Sequence, residues 1–173
     1  ITSFIFTGLS LSPGSRYYAI VVATSPLQAS IVSISDGVVV DTTPPQAGEV
    51  VDGRSYADMI AQTNVTSYTA RWFGFSDPTS GIHHYELAAT NSTSPPSGEP
   101  YSSVGIRLSS TLGYPGLQQG QVAYGHVVAV NNAGVRSTDM ASDGVVLDTT
   151  RWSRLEDRDL YFFLDVERKT LIW

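Results

Sequence analysis

Between Pro44 and Asp148 apolar side chains recur at alternate positions in short runs, and clusters of Gly, Pro, Ser and Asn separate the runs. Period-two alternation marks a strand with one face in a core. This span is therefore expected to be all β, with strands at GEVV, SYTARWFGF, IHHYELAAT, VGIRLSST, QVAYGHVVAV and GVVLD. No segment here spaces its apolar residues as a helix would. Turns are expected at Asp52-Gly53, at Asp77 to Gly81, in the long loop NSTSPPSGEP, at Tyr114-Pro115-Gly116 and at Asn131 to Gly134. Within SYTARWFGF the residues Tyr68, Ala70, Trp72 and Gly74 share a face, which makes Trp72 the natural core anchor. In IHHYELAAT, Tyr85 and Leu87 point one way, and His84, Glu86 and Ala88 the other.

One stretch occurs twice. SDGVVVDTTPP runs from Ser35 to Pro45, and SDGVVLDTT returns from Ser142 to Thr150, an offset of 107 residues. That is the length of a small domain rather than of a solenoid repeat. VVVD reads as the last strand of one sandwich, and Thr42-Thr43-Pro44-Pro45 as the joint into the next. Proline has no amide donor and a fixed φ, so Pro44 and Pro45 are expected to form a short, semi-rigid linker. After the second copy the prolines are missing, because Thr150 is followed by Arg151-Trp152.

The order of these elements resembles the fibronectin type III family. Members place a Trp on the second strand, an Ile-x-x-Tyr-x-aliphatic third strand, and a Leu-x-Pro-Gly-x-x-Tyr turn before an alternating strand that ends in Ala. This chain has Trp72, then Ile82, Tyr85 and Leu87, and later AVNNAG from Ala129 to Gly134. Its N-terminal GLSLSPGSRYYAIVVA supplies Leu11, Pro13, Gly14 and Tyr17, with Ala19, Val21 and Ala23 alternating behind. The resemblance implies an immunoglobulin-like β-sandwich: residues 1–42 as the C-terminal half of one module, carrying its last three strands, and residues 43–150 as a complete second module. Trp72, Tyr85, Leu87, Tyr17 and Leu117 are the core residues it implies. Tyr17 would close a corner by hydrogen-bonding to nearby backbone. The second copy departs from this pattern, with Ala123 at the corner position, Tyr124 one place late and Gln119 where Pro is expected.

Charge marks a boundary near residue 150. Before it there is no lysine and only five arginines, whereas residues 151–173 carry five basic and five acidic side chains. That tail is left unassigned, as the start of another domain or as an addition outside the module. Its periodicity fits a hairpin of LYFFLDV and LIW around ERKT as well as a helix starting near Ser153, and DLYFFLDVERKTLIW resembles one strand pair of the YWTD propeller repeats of lipoprotein receptors. Ile1 is followed by no leader-like segment, so both ends are expected to be cuts in a longer chain.

The net charge of −6 is the wrong sign for a nucleic-acid surface. No run of apolar residues is long enough to span a membrane, and without cysteine there is neither a disulfide nor thiol chemistry. Motifs for nucleophilic, zinc or phosphate chemistry are missing, so no catalysis and no cofactor are expected. His83, His84 and His126 are expected at the surface or at an edge. Neighbours on a strand point apart, so His83 and His84 would need a bulge to share a metal. Asp36, Asp41 and Asp52 near the first joint, and Asp143 and Asp148 near the second, fit turn formation and strand ends better than calcium. Asp77 is expected to cap the amides of its turn while Gly81 supplies positive φ.

Two sequons, Asn64-Val65-Thr66 and Asn91-Ser92-Thr93, fall at expected loops and are candidate N-glycosylation sites. The expected function is that of a non-catalytic spacer and interaction segment in a secreted or cell-surface multidomain protein. Its partners would be neighbouring modules of the same chain and other extracellular proteins or glycans. The alternative is an accessory module of a secreted polysaccharide-active enzyme whose catalytic domain lies outside these residues, and a weaker one is a carbohydrate platform built on Tyr101 and Tyr114.

Overall fold

Alternating runs separated by turn residues leave the backbone no way to satisfy its polar groups except by pairing between strands. Strands pair in this way in a computed structural model that describes residues 3–55, 57–98, 100–114, 117–150 and two short strands, 163–165 and 170–172. Every element among the described residues is a strand: β1 (Arg16–Tyr17), β2 (Ile20–Thr24), β3 (Ser30–Ile34), β4 (Val38–Val39), β5 (Glu49–Asp52), β6 (Ala61–Gln62), β7 (Ser67–Phe73), β8 (Ile82–Thr90), β9 (Ser102–Gly105), β10 (Ser109–Gly113), β11 (Val122–Asn131), β12 (Met140–Ala141), β13 (Val145–Leu147), β14 (Phe163–Asp165) and β15 (Thr170–Ile172).

Two sheets face each other between β5 and β13. One has the order β10-β7-β5, and the other β6-β13-β11-β8-β9 with β12 also on β11. All of these pairings are antiparallel except β6 with β13, which is parallel. Between the sheets lie Val50 of β5, Tyr68, Ala70 and Trp72 of β7, Tyr85 and Leu87 of β8, Ala123, Val127 and Ala129 of β11, Val145 and Leu147 of β13, and Leu117 from the loop before β11. Trp72 and Leu87 are wholly buried, and Tyr85 and Leu117 nearly so. The Tyr85 ring meets Trp72 and Phe75 with centroids 5.7 Å away in each case. Gly48 explains how β5 enters this packing: a Cβ there would lie 2.0 Å from the Phe73 carbonyl oxygen, so only glycine allows the strands to approach so closely.

The single strand expected at VGIRLSST is two. Its first half is β9 in one sheet and its second half lies in β10 of the other, with Gly105 at φ 65° where β9 ends. Ile106 and Leu108, which fit the alternation, are exposed on the crossing between sheets.

Ahead of the sandwich, β2 pairs with β3 and β1 with β4, forming one long hairpin broken in the middle. The third strand expected in residues 1–42 is not formed: residues 3–15 carry none. Tyr17, expected in a core, is only half-buried. The hairpin exposes Ile20, Val22, Ile31, Val32 and Ile34, because no second sheet lies over it among the described residues. At the far end β14 pairs antiparallel with β15, the hairpin alternative for the tail. The rest of residues 151–173, and Pro115-Gly116 of an expected turn, lie outside the described residues.

Candidate functional site

The repeated SDG and DTT stretches build the same local structure twice. In the first copy Ser35 N–H donates to the Ala19 carbonyl at 2.9 Å, and Ser35 Oγ accepts from Ala19 N–H at 2.9 Å. In the second, Ser142 does the same with Gly125, at 2.8 and 3.0 Å. Gly37 and Gly144 follow with φ of 86° and 98°, the left-handed turn that lets the last strand resume. Gly14 N–H bonds Val40 O at 2.7 Å, and Gly120 N–H bonds Leu147 O at 2.8 Å. Each run then ends in an aspartate whose Oδ1 accepts the backbone N–H two residues on, Thr43 to Asp41 and Thr150 to Asp148, both at 2.9 Å. The corner differs, as the sequence indicated. Ser12 N–H donates to the Tyr17 hydroxyl at 2.8 Å, which draws the phenol pKa down. Ala123 stands buried in its place in the second copy.

The first of these aspartates reaches across the joint. Asp41 Oδ2 accepts Ser80 Oγ at 2.6 Å and Asn131 Nδ2 at 2.9 Å, and the same Asn131 nitrogen lies 3.0 Å from both the Thr43 carbonyl and Asp77 Oδ2. Asn131 is fixed in this orientation, since its Oδ1 accepts the Ala133 and Val135 N–H groups at 3.0 and 2.8 Å. Asp77 caps the amides of Thr79, Ser80 and Gly81. The Ser80 and Thr43 donors hold the Asp41 carboxyl below the usual carboxylate range. At Asp77 the turn amides and Asn131 outweigh burial and do the same. With only Asp41 and Asn131 buried, the joint is a polar clamp at the surface of the sandwich.

A second polar cluster lies inside. Tyr68 donates its hydroxyl to Asp52, Gly144 N–H donates to Asp52 Oδ2 at 2.9 Å, and Ser142 Oγ lies 3.2 Å from the Tyr68 oxygen. Asp52 is fully buried, and burial pushes its pKa up to about 6 despite these donors. The Tyr68 hydroxyl is pushed up too, by burial and by the facing carboxylate. Asp52 and Asp143, placed by sequence at different joints, meet at one end of the sandwich, where their oxygens and one of Asp58 lie within 4.8 Å of one another.

The histidines depart from expectation. His126 is wholly buried rather than at the surface or an edge. Its Nδ1 lies 2.7 Å from Asp139 Oδ2 and its Nε2 2.8 Å from the Ser92 carbonyl and 3.0 Å from Thr90 Oγ, and the carboxylate and carbonyl favour the protonated ring. Burial lowers its pKa, and Asp139 and the Ser92 carbonyl more than restore it, so the net shift is upward. His83 and His84 do come together, with Nδ1 atoms 2.7 Å apart. The bulge that this needs is present: Asn131 is paired with Ile82 and Val130 with His84, which leaves His83 as the extra residue. No third metal ligand joins them among the described residues.

Tyr101 and Tyr114 do not form an open carbohydrate platform. The Tyr101 hydroxyl donates to Asp139 at 2.7 Å, and the Arg136 guanidinium lies 5.1 Å over its ring. Tyr114 packs against the core. Asn64 and Asn91 are both exposed. Asn64 Oδ1 accepts Thr66 N–H and Thr66 Oγ, at 2.8 and 3.0 Å. A cleft of about 650 Å³ opens beside Asn64, lined also by Met59, Gln62, Asp148 and Thr150. No helix of the described residues is long and apolar enough to cross a membrane.

No protein-family model matches the chain, and no curated protein is similar to it. Among solved structures it is similar to the twitchin kinase region from C. elegans, at 15% identity and TM-score 0.42, over 75% of this chain and 20% of that one. It is also similar to fibronectin(III)-like modules of CbhA from Clostridium thermocellum, at 16% identity and TM-score 0.37, over 82% of this chain and 67% of that one. An Fn3-like protein from Clostridium thermocellum shares 20% identity at TM-score 0.31, over 64% of this chain and 95% of that one.

Proposed function

We propose that this all-β chain, whose sandwich is of the immunoglobulin-like fibronectin type III class, is a non-catalytic spacer and interaction segment of a secreted or cell-surface multidomain protein. Residues 1–42 are then the end of one module, with residues 43–150 the next. The observation that carries the reading is the clamp at the joint. Asp41, from the end of the first unit, is bound by Ser80 and Asn131 of the second, and Pro44 and Pro45 stiffen the chain between them. A catalytic role would call for reactive groups converging in a cleft, whereas Asp41, Asp77, Asp148 and Asp52 are spent on turns, the clamp and the buried Tyr68 cluster, and Asp139 on His126 and Tyr101. Asn64 and Asn91 stand in water as glycan acceptors, and the loop from Asn91 to Pro100 is displayed for other extracellular proteins or glycans.

The test is the relative motion of the two units. In solution NMR of the full chain, residues 16–39 are expected to share the alignment tensor of residues 49–147, and Asn131→Ala is expected to separate them. A variant that leaves the two tensors identical would remove the clamp from the argument and the rigid spacer with it.

A further inference from the structure

Asp41-Thr42-Thr43 divides its carboxylate between two tasks. Oδ1 shapes the segment itself by accepting Thr43 N–H at 2.9 Å and Thr43 Oγ at 2.7 Å. Oδ2 faces outward and takes the two donors of the next unit, Ser80 and Asn131, while the Thr43 carbonyl takes a third contact from Asn131. The segment is a key, and its lock is a hydroxyl on one turn beside a fixed amide on another.

The same key is cut a second time. Asp148 Oδ1 accepts Thr150 N–H at 2.9 Å, and Gln119 Nε2 donates to it at 3.0 Å. Among the described residues no donor reaches Asp148 Oδ2, and Asp148, Thr149 and Thr150 are all exposed where Asp41 is buried. Gln119 completes the hold from within the same sandwich, its Oε1 accepting Thr149 N–H and Oγ at 2.6 Å each, so the segment keeps its turn while Asp148 faces water and little ordering remains to be done on docking.

We propose that Asp148-Thr149-Thr150 is a docking surface for a further β-sandwich module that presents a serine hydroxyl on its β7–β8-type turn and an asparagine amide on its β11–β12-type turn. This rests on the spacer reading given above and deepens it by naming the chemistry of the partner. The lock is selective. In the first copy the turn position equivalent to Asn131 is Ser25, whose Oγ accepts Ala29 N–H at 3.2 Å and which has no amide to offer. A unit ending in Asp-Thr-Thr thus seats an Asn-type module and leaves a Ser-type module unclamped. A desolvated carboxylate oxygen needs both donors, because either one alone leaves part of its hydration unreplaced.

The experiment inserts a second copy of residues 44–150 between Thr150 and Arg151 of the full chain and reads two NMR signals. These are the side-chain amide protons of each socket asparagine and the alignment tensors of the two sandwiches. The inserted asparagine is expected to show the shifted amide pair of Asn131, and the sandwiches to share one tensor. Asp148→Ala is expected to abolish both for the inserted copy and to leave Asn131 itself unchanged. If Asp148→Ala changes neither signal while Asp41→Ala in the same chain moves the Asn131 amide, the key is overturned and the spacer reading stands. If Asp41→Ala also moves nothing, both fall. An inserted copy that does not fold counts against the key as well, since the proposed joint is compatible with an unbroken sandwich.

Discussion

Replacing Asp52 by asparagine isolates the energetic consequence of the buried Tyr68 cluster. Asp52 lies wholly inside, and its pKa is pushed up to about 6 from an ordinary 3.8, chiefly by burial. The folded chain therefore binds the proton more tightly than the unfolded chain does. Stability from this group is complete below about pH 3.8 and is lost progressively as pH rises toward 6, above which the profile is flat. At about 1.4 kcal/mol for each tenfold change in proton affinity, the loss comes to about 3 kcal/mol. Asparagine keeps the shape and has no charge to bury. Its oxygen can accept from Gly144 N–H while its amide faces the Tyr68 oxygen, whose hydroxyl turns to Ser142. Urea unfolding from pH 3.5 to 7.5 is the assay. Asp52→Asn is expected to gain about 3 kcal/mol on the parent chain between pH 4 and 6. Asp41, Asp77 and Asp148, whose pKa values are lowered, act in the opposite sense and at lower pH. They cancel in the difference between the two chains. A difference that stays constant across the range would refute the assignment of a buried, charge-averse carboxyl.

Trp72→Ala removes the largest fully buried side chain and is expected to cost about 3–5 kcal/mol, read as a lowered urea midpoint; a neutral result would place Trp72 outside the core. Gly48→Ala, whose Cβ would meet the Phe73 carbonyl, is expected to destabilise by about 1–3 kcal/mol and to weaken hydrogen-exchange protection of β5 before that of β11. For His126 the raised pKa means that the tether to Ser92 is complete below about pH 6.5 and is lost as pH rises through the higher folded value. Amide exchange in residues 91–98 should therefore accelerate with pH beyond its intrinsic dependence, and Asp139→Asn should move that transition to lower pH.

The alternation in SYTARWFGF placed Tyr68, Ala70 and Trp72 in the core because a half-buried strand has only one way to sort its side chains. The break in VGIRLSST was not legible, since Ile106 and Leu108 keep the period while the backbone passes between sheets. His126 was misplaced for a related reason. Its face of β11 is normally the solvent side, yet here it is covered by Ser92, 34 residues back, and by Asp139 from the loop after β11, 13 residues on. The joint was half visible. DTTPP, SDPTSG and NNAG could each be recognised as a turn or an end, but Asp41 and Asn131 lie 90 residues apart, and nothing local says that they touch.

The two copies also differ by a single insertion. β2 pairs with β3 without interruption, Ala23 with Ile31 and Val21 with Ser33. In the second copy Ser137 bonds Ala129 as Ile31 does Ala23, whereas Met140 is the partner of Val127. Two residues, Thr138 and Asp139, thus occupy the space of the single Val32. That bulge brings Asp139 to both His126 and Tyr101, at a place where the first copy has Ile20 opposite an unbroken strand. A strand of this kind can thus be lengthened locally by one residue. The added residue brings a largely buried carboxylate against His126 and Tyr101, and the hydrogen bonds on either side keep the strand in step.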